Sequence, residues 1–292
     1  MDLVSNDNTC GKSETTLRIV SYKRKRLKTG KERTFRLANT RIGEKETIIF
    51  IHGLVGNDRA FKKEKIALSP HYRVISYNLL GHGDDKGTNT PFRLSDLIHQ
   101  LEEVYRIHQV EKAHLCTLSY GCYIGTIFAS LFPQKVTSLC CIGGHYNNPS
   151  ALFSVFEEFW NRRDEPYSHW LNAYTSKIFP LWSQGIDPLC FISKKVYYRL
   201  GLTMHPSVVV ESLRHRIHFD LKPHLKQLSH PVLWVMGGFD HLYKSCLYDL
   251  EALIPHVIYQ EIPFAGHAAH LFRPDVFRSI YLRFLLELKE AS

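Results

Sequence analysis

Ala113-His114-Leu115-Cys116-Thr117-Leu118-Ser119-Tyr120-Gly121-Cys122-Tyr123-Ile124-Gly125 is a short apolar run that breaks at one serine and resumes as an all-apolar helix. A serine hydroxyl is a poor nucleophile at neutral pH. A protein that uses one holds the oxygen clear of the backbone, beside a base and a set of oxyanion donors. A sharp turn from strand to helix achieves the first of these. The backbone there is crowded, so the positions two before and two after the serine are normally glycine. Here the run is Thr117-Leu118-Ser119-Tyr120-Gly121, with the later glycine present and the earlier one replaced by threonine. Ser119 is read as the nucleophile, against the simpler alternative of a serine capping a buried helix.

The sequence around this turn supplies the rest of a layered α/β protein. Thr47-Ile48-Ile49-Phe50-Ile51 is a continuous run of strand-forming residues, the pattern of a parallel strand covered on both faces. It ends in His52-Gly53-Leu54-Val55-Gly56-Asn57, where glycine lets the loop bend so that backbone N–H groups point above the sheet. The N–H of Leu54 from this loop and that of Tyr120 after the nucleophile are the oxyanion candidates. His52 is read as a structural ring that pins the loop. Tyr72 to Tyr77 gives another strand, followed by the turn-rich Asn78 to Asp85. Leu94, Leu97, Ile98, Leu101, Val104 and Tyr105 then follow helical spacing, with Ser95 as the expected cap. The nucleophile strand is expected over His114 to Leu118, its helix over Tyr120 to Leu131, and a further strand over Val136 to Ile142. Strands alternating with helices predict a mostly parallel sheet with helices on both faces.

Length and composition agree with this reading. The 292 residues suffice for one large domain with an insertion, and 44% hydrophobic content builds a full core. The net charge is +9, and residues 1–46 hold twelve Lys and Arg against six Asp and Glu, so the remainder is only mildly basic. Residues 1–15 read as a flexible tail. A basic hairpin follows, with Leu17 to Leu27 and Thr34 to Asn39 as strands joined at Thr29-Gly30-Lys31 and carrying Lys23-Arg24-Lys25-Arg26-Leu27-Lys28. Such a cluster suits an anionic surface, but edge hairpins ordinarily carry lysine and arginine against aggregation. The solvated edge is preferred, and nucleic acid is not an expected partner. There is no apolar run of about eighteen residues, and the first residues lack the charged flank and apolar centre of a secretion signal, so a cytoplasmic location is expected. The seven cysteines (Cys10, Cys116, Cys122, Cys140, Cys141, Cys190 and Cys246) show no Cys-x-x-Cys spacing, and most sit in apolar runs. Neither a disulfide framework nor a zinc site is expected.

With these residues in view, the chain resembles the α/β-hydrolase fold family, in its serine-nucleophile form with a helical cap. His52-Gly53 is similar to its oxyanion loop, Leu80-Gly81-His82-Gly83 to the loop after its fourth strand, and Thr117 to Gly121 to its nucleophile elbow. Pro231 to Asp240 resembles the strand and loop that bear the family's acid, and Pro263-Phe264-Ala265-Gly266-His267 the loop that bears its histidine. The likeness covers about residues 17–145 and 228–290. Two positions depart from the pattern. Thr117 replaces the first glycine of the elbow, and Asn78 stands where many members have aspartate in a supporting role.

A nucleophilic serine needs an acid to fix the histidine tautomer and steady the imidazolium. Asp240 fits, since it lies just past a buried strand, and the loop after Val136 to Ile142 reads Gly143-Gly144-His145-Tyr146-Asn147-Asn148 without a carboxylate. The alternative is a cap for a helix over Leu242 to Leu253. Among His267, His241, His145 and His270, His267 alone follows the last strand, Val257 to Ile262, in the chain order Ser, Asp, His. His267 and His270 lack nearby partners for a metal, and no metal or cofactor is expected.

Between 146 and 226 the strand pattern stops. An aromatic-rich helical stretch takes its place, with Phe153, Phe156, Phe159, Trp160, Tyr167, Trp170, Tyr174, Phe179, Trp182, Phe191, Tyr197 and Tyr198. The expected organisation is a tail over 1–15, a hydrolase core over 16–145 and 227–292, and a cap over 146–226, where the resembled family places such insertions. Most of these aromatics form the cap's own core, and a few line an apolar pocket. Arg162, Arg163, Lys194, Lys195 and Arg199 either attract an anion or serve as exposed helix charge. The expected function is hydrolysis of an ester, thioester or lactone bond in a small, largely apolar acyl substrate. Carbon–carbon bond hydrolysis, acyl transfer with the same residues, and a non-catalytic ligand receptor are the alternatives.

Overall fold

The computed structural model describes residues 45–291 apart from 88, 90, 91, 149 and 184–189. The expected tail and basic hairpin, with Lys23 and Arg26, lie outside the described residues.

Six strands form one parallel sheet: β1 (Thr47–Ile51), β2 (Arg73–Ser76), β3 (Ala113–Leu118), β4 (Val136–Ile142), β5 (Val232–Gly237) and β6 (Val257–Ile262), in the order β2-β1-β3-β4-β5-β6. All residues of β1, β3 and β5 are buried, as the unbroken apolar runs require of strands covered on both faces. Alternation sorts their side chains. Ile49 and Ile51 enter a core shared with α2 (Leu94–Ile107), α3 (Tyr120–Leu131) and the inserted helices, while Ile48 and Phe50 enter a second core with α1 (Lys62–Leu68) and α12 (Pro274–Ala291). The sheet reverses its winding between β1 and β3, and β1 and β3 carry the two loops that meet above it.

Two local expectations are corrected. Ser95 is not the cap of α2; the helix starts at Leu94 with Arg93 at the cap position and no side-chain cap hydrogen bond. The start is set by packing, because Phe92 is buried against the rings of His82 and Tyr120. The single helix expected over Leu242 to Leu253 is two short ones, α9 (His241–Ser245) and α10 (Leu250–Leu253).

Between β4 and β5 come α4 (Ser150–Asn161), α5 (Tyr167–Ser183), α6 (Cys190–Gly201), α7 (Pro206–His218) and α8 (Lys222–Lys226). Phe156, Phe159, Trp170, Tyr174 and Phe179 pack among themselves, as in the ring contacts of Phe159 with Trp170 and Tyr174. α7 closes on the sheet, where the Tyr120 hydroxyl and His215 Nδ1 share a hydrogen bond of 2.5 Å and Phe92 stacks on His215. α8 packs against α3. The described cysteines are buried, except the half-buried Cys190. Among the described residues, no helix is long and apolar enough to cross a membrane.

Candidate active site

Ser119 sits between β3 and α3 with φ 51° and ψ −114°, in the left-handed half of backbone space that a non-glycine residue occupies at a cost of about 1–3 kcal/mol. Two contacts hold it there. Its N–H donates to Ile142 O on β4 at 2.8 Å, and its carbonyl accepts from Cys122 N–H at 2.9 Å. The turn brings α3 against β1 so closely that a Cβ on Gly121 would meet Ile51 O and His52 O at 2.7 Å. This accounts for the second glycine of the pattern.

The missing first glycine is explained by packing. Thr117 is fully buried, its hydroxyl donates to Cys140 O at 2.9 Å, and its methyl occupies space that a side chain at position 125 would need: a Cβ on Gly125 would lie 2.6 Å from Thr117 Cγ2. Glycine at 125 leaves room for the threonine, and the strained turn is kept.

The structure brings together Ser119, Asp240 and His267, which are far apart in the chain. The Ser119 hydroxyl lies 2.8 Å from His267 Nε2, and His267 Nδ1 lies 2.8 Å from Asp240 Oδ2. With Nδ1–H donating to the carboxylate, Nε2 is left to accept from the hydroxyl. Asp240 occupies the cap position of α9 but makes no cap hydrogen bond; its side chain is fully buried and turned to the histidine. The Tyr243 ring lies 4.5 Å from the His267 ring. On the other flank Gly143, at φ 60°, is so close that a Cβ would stand 2.6 Å from His267 O and 3.1 Å from the ring.

The loop after β1 lies against the serine. A Cβ on Gly53 would meet Leu118 O at 3.1 Å and Ser119 Cβ at 3.2 Å. His52 pins this loop as expected: Nδ1–H donates to Gly53 O at 2.8 Å and Nε2 accepts from Leu79 N–H at 3.0 Å. Burial pushes its pKa down to about 3, so the ring stays neutral. His82 acts similarly from the loop after β2, accepting from Val55 N–H at 3.2 Å. Asn78, the second departure, ties the same two loops by accepting from Asp58 N–H at 2.8 Å. The N–H of Leu54 has no acceptor among the described residues, and Tyr120, as the first residue of α3, has none within its helix.

The remaining candidates fall elsewhere. His270 is buried against Phe61, and no group of three or more metal-binding side chains occurs among the described residues. Of the basic residues named in the insertion, Arg162 pairs with Glu158 and Glu165, and Arg163 lies over Trp160. The buried cation is instead Arg216, which the sequence reading missed. Its signal was helical spacing, since it continues the stripe of Val208, Val209, Ser212 and Leu213.

The geometry has parallels. A family model described as the alpha/beta hydrolase fold matches residues 46–186. A Pantoea ananatis protein named as a carbamate hydrolase, RutD, is 25% identical over 246 residues, covering 82% of this chain and 88% of that one. A 3-oxoadipate enol-lactonase of Acinetobacter baylyi is 20% identical over 252 residues, covering 80% and 86%. Among solved structures, the enol-lactonase of Burkholderia xenovorans has the same fold, with a TM-score of 0.70 at 19% identity, covering 85% of this chain and 94% of that one. MenH of S. aureus matches with a TM-score of 0.68 at 20% identity, covering 85% and 96%. From the parallel sheet, the strained turn at Ser119 and these likenesses together, the chain has the α/β-hydrolase fold.

Proposed function

We propose that the protein is a serine hydrolase that cleaves an ester, thioester or lactone bond of a small, largely apolar substrate through an acyl-enzyme. The observation that carries this is the unbroken chain of 2.8 Å contacts from Ser119 Oγ through His267 to Asp240. Ser119 Oγ attacks the substrate carbonyl carbon while His267 Nε2 takes the hydroxyl proton, and Asp240 steadies the imidazolium that forms. The negative charge moves to the carbonyl oxygen, which the N–H groups of Leu54 and Tyr120 receive. The intermediate collapses as His267 returns the proton to the departing alcohol, thiol or hydroxyl. Water then attacks the acyl-serine, again losing its proton to His267, and the acid is released with Ser119 restored.

The inserted helices act as a cap in this reading, excluding water and supplying an apolar wall. Relatives named as a carbamate hydrolase and an enol-lactonase support an acyl carbonyl as the point of attack. A serine at the elbow disfavours reactions that need an aspartate nucleophile, such as dehalogenation and epoxide opening.

The test is labelling of the purified protein with a fluorophosphonate, followed by turnover of 4-nitrophenyl esters of increasing chain length. Labelling is expected in the wild type and absent in Ser119→Ala. A folded wild type that stays unlabelled would sink the proposal in favour of a ligand receptor.

A further inference from the structure

Arg216 is only 6% exposed, yet among the described residues it has no carboxylate partner. Its Cζ lies 5.8 Å from the centre of the Tyr120 ring, next in sequence to Ser119, and 5.3 Å from that of Phe156. Nη1 donates to the Tyr174 hydroxyl at 3.2 Å, and Nε is buried without a hydrogen-bond partner. Glu211 on the same helix pairs with Arg214, and Asp249 and Asp240 pair with Lys222 and His267. A guanidinium gives up strong hydration on burial, and two aromatic faces with one neutral hydroxyl return little of it. Buried arginines are therefore ordinarily paired.

The surrounding wall carries the same signature. His145 is buried with both ring nitrogens unpartnered, and Asn148 Oδ1 is buried and unpartnered while its Nδ2 donates to Arg216 O at 2.6 Å. The His145 ring lies 4.4 Å from Tyr243, the same tyrosine whose ring lies 4.5 Å from His267. The unpaired polar groups thus adjoin the proposed chemistry on both sides, through Tyr120 at the nucleophile and through Tyr243 at the histidine.

We propose that Arg216 receives a carboxylate carried by the substrate, so that the bond presented to Ser119 belongs to an ester, thioester or lactone whose far end is an organic acid. The inference rests on the hydrolase reading and narrows it from a wholly apolar substrate to an acid-bearing one. The planar fork of a guanidinium accepts a carboxylate through two parallel hydrogen bonds. The single charge of a carboxylate also suits a site with one buried cation better than the double charge of a phosphate monoester. Arg162 and Arg163 cannot substitute, since they lie on the outer surface with partners of their own.

The test compares mono-4-nitrophenyl esters of adipic and suberic acids with the same esters methyl-capped at the free acid. The wild type is expected to favour the acid of the better-fitting length by about 10- to 100-fold in kcat/KM, mostly through KM, the range of a charge-assisted hydrogen bond. In Arg216→Met the acid-to-capped ratio is expected to fall to about one, whatever the absolute rates. Should that variant not fold, Arg216→Lys, which keeps the charge without the fork, is expected to lower the ratio at least about threefold. Calorimetric titration of Ser119→Ala with adipate and suberate reads the same contact without turnover. Binding there that is lost in Ser119→Ala/Arg216→Met upholds the inference even if no ester is cleaved and the hydrolase reading fails. Equal rates on acid and capped esters at both lengths, a preference that survives Arg216→Met, or dicarboxylate binding indifferent to Arg216 would overturn it.

Discussion

Moving one methyl group between β3 and α3 tests whether Thr117 is a packing solution in place of the glycine it replaces. Thr117→Ser keeps the hydroxyl that donates to Cys140 O at 2.9 Å and removes a fully buried methyl, at a cost of about 1 kcal/mol. Gly125→Ala builds a Cβ 2.6 Å from Thr117 Cγ2 and 3.1 Å from Leu139 Cδ1. That overpacking costs about 1–3 kcal/mol, of which about 1 kcal/mol is returned by the better helix propensity of alanine. If the two changes acted independently, the double variant would lose about 2 kcal/mol. In the structure the serine removes the atom that the new Cβ meets, and the leucine tip yields a few tenths of an ångström. The double variant is therefore expected within about 1 kcal/mol of wild type, a coupling of about 2 kcal/mol. Urea unfolding with unchanged m reads all four corners, and fluorophosphonate labelling confirms that the Ser119 turn persists. Additivity within about 0.5 kcal/mol would refute the reasoning. A direct return to the family pattern, Thr117→Gly, loses the methyl, the hydroxyl contact and backbone entropy together. It is expected to destabilise by about 2–3 kcal/mol.

Three further perturbations probe the site and its frame. Asp240→Asn keeps the shape but presents an N–H where His267 Nδ1 needs an acceptor, and kcat is expected to fall about 10³- to 10⁴-fold with little change in melting temperature. Stopped assays on a 4-nitrophenyl ester read this, and a loss under tenfold would show that Asp240 is not the orienting acid. Gly143→Ala forces a side chain at φ 60° to within 2.6 Å of His267 O. A displacement of the imidazole by about 1 Å is expected to slow labelling about 100-fold, and unaltered labelling would count against the close packing of that loop. Burial pushes the pKa of His52 and of His270 down to about 3 and that of His215 to about 4. The unfolded chain binds these protons first, so the stability is whole above about pH 6.5 and drains as the pH falls toward 4, by roughly 1 kcal/mol per ring per pH unit. His270→Gln is expected to lower the acid slope in urea titrations from pH 7 to 5 by roughly 1 kcal/mol per pH unit, and an unchanged slope would refute the assignment of a buried neutral ring.

What the sequence disclosed follows from which positions physics constrains tightly. β1, β3 and β5 are unbroken apolar runs because both of their faces are covered, and polar residues directly after such runs have no packing reason to be there. Ser119, Asp240 and the His52 loop stood out for that reason. The start of α2 was misplaced because a local signal, Ser95, was trusted where a tertiary contact, the burial of Phe92, decides.

The insertion was read by composition rather than by period, and this hid Arg216. Its neighbours Arg214, His215 and His218 give the end of α7 the look of an ordinary basic helix terminus, and Arg214 is indeed exposed and paired with Glu211. Spacing separates the two arginines. Val209, Leu213 and Arg216 descend one face at intervals of four and three, and Val208 and Ser212 lie beside them, all buried. An apolar stripe that continues into an arginine either ends at the surface or carries the charge inside. Here the next turn is covered by Tyr120, Phe156 and Tyr174, so the charge goes inside. A buried cation placed there by the amphipathic pattern, with no carboxylate paired to it among the described residues, is the observation from which an acid-bearing substrate is proposed.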